Sequence, residues 1–117
     1  MTQALSGVRV LDLSRVLAGP YCSMMLGDYG ADVVKVERPE QGDDTRRWGP
    51  PWVQGESAYV LSVNRNKRSL TLDLKSAQGQ EVLHQLIAKA DILLENFRTG
   101  TAESWGIDYS TLKTQHP

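Results

Sequence analysis

The amino-acid sequence predicts an α/β fold, a parallel sheet with flanking helices, and three observations carry that reading. The stretch from Val8 to Tyr29 runs from a short apolar segment through a turn into apolar residues at helical spacing. That order of strand, turn and helix returns further along the chain. The first apolar segment is near-continuous rather than alternating, as in strands covered on both faces of a parallel sheet.

Val8, Val10, Leu11 and Leu13 form the first predicted strand, and Ser14 to Gly19 break its pattern. Pro20 suits the first turn of a helix, where its missing N–H is not needed. Cys22, Met25, Leu26 and Tyr29 follow as that helix's expected buried stripe, and Gly30 is its expected C-cap. Ala31 to Glu37 is the second strand, closed by Arg38 and Pro39. The helix between the two strands makes a βαβ unit with an expected right-handed crossover.

Glu40 to Gly55 (EQGDDTRRWGPPWVQG) has no period and reads as a long loop, partly packed through Trp48 and Trp52. A helical turn is expected within Glu56 to Val63, turn chemistry from Asn64 to Lys67, and an alternating strand from Ser69 to Leu74. Ser76 then caps a helix with Val82, Leu83, Leu86, Ile87 and Ala90 on one face and His84, Gln85 and Lys89 outside it. Asp91 to Glu95 reads as the fourth strand, Asn96 to Gly100 as the loop after it. Thr101 to Trp105 forms a helical turn stopped by Gly106, and Ser110 caps a last short helix. The alternation stops there without another strand, so the sequence reads as part of a larger, incomplete fold.

Composition narrows the function. With 117 residues the chain makes at most one small domain with a modest core. Its 13 Lys plus Arg against 14 Asp plus Glu leave a net charge of −1, which gives no global field for nucleic acid. No apolar run approaches the roughly 18 residues of a membrane span. The start, MTQALSG, lacks the regions of a signal peptide, and Cys22 is a single cysteine, so a cytoplasmic address is expected.

Each predicted strand is followed by a cation: Arg15, Arg38, Lys75 and Arg98. In a parallel sheet these loops share one edge, where helix N-termini also attract phosphate, so they describe a polyanion site or, equally, ordinary cations at strand ends. Glu37 stands where a dinucleotide fold holds a ribose hydroxyl, but the turn SRVLAGP has no GxGxxG. Arg38 instead suits a further ribose phosphate, or a solvated cation beside Glu37. His84 and His116 have no partners at metal-ligand spacing, so no metal is expected. Cys22 is expected in the core; Asp43 and Asp44 are a candidate general acid and base but read rather as solvated carboxylates, and Arg65, Lys67 and Arg68 as a solvated turn. No catalytic constellation is visible.

With these residues in hand, the sequence resembles the N-terminal part of the family III CoA-transferases, the CaiB/BaiF family. LSGVRVLDLSRVLAGPYCSMMLGDYGADVVKVERP, GDDTRRWGPP, SVNRNKRSLTLDLK and DILLENFRTG follow one another at the family's spacing and cover essentially the whole chain. GDDTRRWGPP and ESAYVLSVNRNKRS look most like the dicarboxylate members.

The resemblance implies a Rossmann-like domain whose strand ends hold coenzyme A, within a longer chain that forms an interlocked homodimer. It maps CoA contacts onto Leu17 and Ala18, Arg38, Leu72, Asp73, Leu74 and Lys75, and Asn96, Phe97 and Arg98, with Arg38 on a CoA phosphate. Residues 1–117 are then the CoA-binding part of the large domain. Two positions depart from the formyl-CoA transferase pattern: Leu17 replaces Gln, and Ser104 replaces a basic contact. Oxalate is therefore disfavoured, and Arg98 or Lys75 must supply the phosphate contact. Family transferases use an aspartate nucleophile that takes the acyl group as a mixed anhydride and then carries CoA as a thioester. That aspartate is expected beyond Pro117. A racemase acting on α-methylacyl-CoA and a non-catalytic CoA-binding or interaction module are the alternative readings.

Overall fold

The computed structural model describes residues 2–117. Four parallel strands form the sheet: β1 (Arg9–Asp12), β2 (Asp32–Glu37), β5 (Lys67–Thr71) and β6 (Ile92–Leu94), in spatial order β5-β2-β1-β6. A two-stranded antiparallel ribbon, β3 (Trp52–Val53) with β4 (Glu56–Ser57), lies outside it. The helices are α1 (Ala18–Asp28), α2 (Ala58–Ser62), α3 (Ala77–Ala88), α4 (Thr101–Ser104) and α5 (Tyr109–Gln115), with a 3₁₀ turn at Asp44–Arg47. The strand order reverses at β1: the chain moves outward to β2 and β5, then returns to place β6 on the other side. Such a switch point opens a crevice at the carboxyl ends of the central strands.

Local chemistry explains most boundaries. The end of α1 is a Schellman motif: Gly30 adopts φ of 103°, its N–H bonds Gly27 O, and the Ala31 N–H bonds Leu26 O. The Ser76 hydroxyl caps α3 by accepting from the Gly79 N–H at 2.9 Å. A Cβ at Gly79 would lie 1.7 Å from the Asp73 carbonyl oxygen, so only glycine lets the helix start so close to the preceding loop. The last helix is capped by Asp108 rather than by the expected Ser110, with the Thr111 N–H and hydroxyl both donating to its carboxylate.

The core lies on both faces of the sheet. On one face Leu11, Leu13 and Val36 meet Leu83 and Ile87 of α3 and Ile107. On the other, Val10, Ala31 and Val33 pack with Leu5, Val8 and Leu26. Several expectations are corrected here. Helix α1 buries Gly19, Pro20, Ser23 and Met24, whereas Cys22, Met25 and Tyr29 face outward. The strand ends beneath this helix carry charged side chains, so small residues and a hydroxyl face them instead of an apolar stripe. Val82 is exposed, and His84 is half-buried with Nε2 3.1 Å from the Trp105 carbonyl.

The third parallel strand begins two residues earlier than expected, at Lys67, and ends at Thr71, leaving Leu72, Asp73, Leu74 and Lys75 in the loop before α3. The expected long loop from Glu40 to Gly55 contains the 3₁₀ turn and β3. Trp48 packs edge-on against Tyr59 at 5.3 Å while remaining exposed. No helix is long and apolar enough to cross a membrane among the described residues.

Candidate functional site

The turn from Ser14 to Leu17, between β1 and α1, sits at the carboxyl edge of the sheet, and four side chains from different parts of the chain hold its backbone. Asp12 accepts the Ser14 N–H at 2.8 Å as well as the Ser14 hydroxyl. Lys35 on β2 donates to the Ser14 carbonyl at 3.0 Å. Asn96, in the loop after β6, accepts the Arg15 N–H at 3.0 Å and donates to the Arg15 carbonyl at 2.8 Å. The Val16 N–H donates to both oxygens of Asp43, at 3.3 and 3.2 Å. Val16 itself has φ of 75°. A β-branched residue in this region carries strain, on the order of 1–3 kcal/mol, that its surroundings must hold.

Beneath the turn lies a buried charged network. Lys35 donates to Asp43 Oδ2 at 2.9 Å, and both side chains are almost wholly buried. Lys67 donates to Asp12 Oδ2 at 3.3 Å, to the Pro20 carbonyl at 2.8 Å and to Asn64 Oδ1 at 2.9 Å. The Ser23 hydroxyl completes the shell of Asp12. Asp43 also accepts the Thr45 N–H and hydroxyl. Thus Asp43 and Lys67, expected as solvated, are buried structural groups: the 3₁₀ turn brings Asp43 beside Lys35, and strand pairing brings Lys67 beside Asp12. Burial pushes the Asp43 carboxyl up, but the Thr45 N–H and the Lys35 ammonium outweigh it and hold it below the ordinary range. Burial dominates at Lys67 and lowers its ammonium to about 8 despite Asp12.

Glu37 is also occupied by the protein. Arg46 grips it with two hydrogen bonds of 2.9 Å, and Ser69 adds a third. Burial pushes its carboxyl up, yet these donors bring it below the ordinary range. Glu37 therefore has its oxygens committed to the protein, away from any ribose.

The outer layer is cationic. Arg38 donates to the Gly42 carbonyl at 3.1 Å and pairs with Asp44. Arg47 approaches the same carboxylate at 3.3 Å and Arg15 at 3.9 Å. Asp44 is half-buried in this arginine cluster rather than simply solvated. Arg65 and Arg68 pair with Asp28 and Asp32, both at 2.7 Å. Among the described residues, Lys75 and Arg98 have no carboxylate within salt-bridge distance.

The predicted residues lie in the loops that follow the parallel strands, except Ala18, which opens α1. Leu17 is the exposed N-cap of α1 and Ala18 its first residue, and their N–H groups, with that of Gly19, have no acceptor among the described residues. Leu72 and Leu74 pack partly against the apolar cluster, while Asp73 and Lys75 are exposed. Asn96 is spent on the Arg15 backbone, and Phe97 packs edge-on against Trp105 at 5.1 Å. Arg98 is exposed. A Cβ on Gly19 would fall 2.2 Å from Ser14 Cβ, so glycine permits the tight approach of helix and turn.

Sequence reasoning missed Asp12, Lys35 and Arg47. For the first two a signal existed: a charge within an apolar strand run, as in VRVLDL and ADVVKVE, must find a partner when buried. No group of three or more His, Cys, Asp or Glu is placed to hold a metal among the described residues.

These features define a doubly wound α/β protein whose strand-end edge joins a side-chain-scaffolded turn to clustered cations. The chain belongs to CoA-transferase family III, whose family pattern matches residues 5–117. It is 52% identical over 108 residues to a succinyl-CoA:glutarate CoA-transferase of Mus musculus, covering 92% of this chain and 25% of that protein. It is 49% identical over 119 residues to a succinate–glutarate CoA-transferase of Agrobacterium fabrum, covering 97% and 30%. The crystal structure of a CaiB/BaiF family protein from Brucella suis superposes with a TM-score of 0.92 at 46% identity, over all of this chain and 32% of that one. The chain thus spans between a quarter and a third of the length of these proteins.

Proposed function

We propose that residues 1–117 form the CoA-binding part of a family III CoA-transferase that moves CoA between an acyl-CoA and a dicarboxylic acid. The observation that carries this reading is the turn at Ser14 to Leu17. Its backbone is held from four sides, three free N–H groups follow it, and an arginine cluster stands beside it. Backbone donors at a helix N-terminus and guanidinium groups suit the phosphates of CoA. The names of the relatives, which act on succinyl-CoA and glutarate, support a dicarboxylate acceptor.

The groups proposed to line the CoA site are Leu17, Ala18, Arg38, Leu72 to Lys75, Asn96, Phe97 and Arg98. Arg38 is in place to exchange Asp44 for a phosphate. Arg15 and Arg47, which face the same carboxylate, strengthen that subsite, and Asn96 acts mainly by fixing Arg15. Several carboxylates of this chain serve the fold: Asp12, Glu37 and Asp43 are buried and hydrogen-bonded. Asp28, Asp32 and Asp108 are tied to Arg65, Arg68 and Thr111. Following the family resemblance, the nucleophilic aspartate is assigned outside these residues and the working protein is taken as a homodimer.

Calorimetry with CoA on the complete gene product tests this reading. Arg38→Ala is expected to weaken binding by about 1.5–3 kcal/mol, the worth of a charge-assisted hydrogen bond. Equal affinities for wild type and variant would remove Arg38 from the site. The isolated 117 residues are expected to give no CoA-transferase turnover above a boiled control.

A further inference from the structure

We propose that Asp43 is a positioning residue for the CoA-binding turn: braced by Lys35, it captures the Val16 N–H and so sets where the donors of Leu17, Ala18 and Gly19 point. This inference rests on the CoA reading and adds to it how the turn is shaped without the glycines of a dinucleotide fold.

The geometry gives Asp43 this task. It lies 27 residues from Val16 in sequence, yet both its oxygens face the Val16 N–H, at 3.3 and 3.2 Å. Valine does not take a left-handed conformation unaided, and Val16 stands at φ of 75° one residue before the N-cap of α1. A rotation at Val16 therefore swings the free N–H groups that follow it. Asp43 is itself fixed from the other side. Lys35 bridges it to the Ser14 carbonyl, at 2.9 and 3.0 Å, and Thr45 donates to it twice. Lys35 thus ties both ends of the turn to one carboxylate. The Lys35–Asp43 pair is buried, 3% and 0% exposed at the side chains, so that brace is shielded from water.

Two double variants of the complete gene product separate positioning from stability. Lys35→Met with Asp43→Asn keeps an oxygen acceptor for Val16, and Lys35→Met with Asp43→Leu removes it. Neither leaves a buried charge without its partner. CoA binding by calorimetry and hydrogen exchange of the peptide spanning the turn are measured on both. The asparagine pair is expected to bind CoA within about threefold of wild type, and the leucine pair roughly tenfold or more weakly, with faster exchange at the turn only in the leucine pair. Equal affinities for the two pairs, or unchanged exchange in the leucine pair, would overturn the proposal.

Val16→Pro gives the same test with the charged pair intact, since proline lacks the N–H and cannot adopt positive φ. Roughly tenfold weaker CoA binding in a protein that still melts cooperatively is expected, and unchanged affinity counts against the proposal. A wild type that binds no CoA overturns the functional reading and the ligand half of this inference, while exchange still decides whether Asp43 shapes the turn.

Discussion

The two faces of the four-stranded sheet are stabilised by opposite means. Under α3 the contacts are apolar throughout, from Leu11, Leu13 and Val36 to Leu83, Ile87 and Ile107. Under α1 the face changes character along the strands: Val10 and Val33 are apolar at the amino end, and Asp12 and Lys35, the next pair on that face, are charged. The apolar face is non-directional and depends on the volume it fills. The charged end is directional, and its hydrogen bonds reach the backbone of the turn above it. What this contrast teaches is a division of labour within one small sheet: one face supplies stability, and the end of the other supplies shape.

Single substitutions on the charged side are expected to have the largest effect. Lys35→Met leaves the Asp43 carboxylate buried without its ammonium and is expected to cost about 3–5 kcal/mol, read from denaturant midpoints. Replacing both members by apolar side chains is expected to cost less than that single change. If the two losses add instead, the pair does not act as a unit and the contrast fails.

Leu83→Ala, at a fully buried position of α3, is expected to cost about 2–5 kcal/mol through the cavity it leaves. Its partner Ile87→Ala is expected to lower stability further rather than rescue it. Hydrogen exchange at the turn from Ser14 to Leu17 should stay unchanged in the folded protein, because this face holds no part of that turn. Faster exchange at the turn in Leu83→Ala would show that the two faces are coupled.

A subtler difference should appear with pH. Lys67 titrates at about 8 in the folded chain against an ordinary 10.5, because burial disfavours its charge. Between these values the unfolded chain binds more protons than the folded one, so the contribution of Lys67 to stability rises with pH across that window and is constant below it. Urea midpoints measured from pH 7.5 to 10.5 should therefore climb for wild type relative to Lys67→Met. Parallel curves would mean that Lys67 keeps its ordinary titration. The smallest effect is expected at Val82→Ala, within about 0.5 kcal/mol, since this side chain is exposed despite its apolar character.

Much of the architecture was legible in the residues, because it depends on signals that act over a few positions. Apolar runs marked β1, β2 and β6; Ser76 marked the start of α3; Gly30 marked the end of α1. The cations after the strands were legible for the same reason, since a parallel sheet must bring these loops to one edge. The family motifs, spread over the whole chain, added the ligand that this edge is proposed to hold.

What the sequence by itself could not decide was which polar groups are inside. Asp43 belongs to a loop that reads as solvated, and Lys67 to a turn, yet strand pairing carries Lys67 to Asp12 and the 3₁₀ turn carries Asp43 under Val16. These partners lie tens of residues apart, so no local periodicity encodes them. The buried face of α1 went the same way. Its apolar residues suggested one stripe, but the charges beneath the helix required Ser23 there instead. Local propensity determined the strands and helices. Only tertiary structure decided which charges met, and with them the shape of the turn, because opposite charges can be buried only where the assembled fold supplies each with its partner.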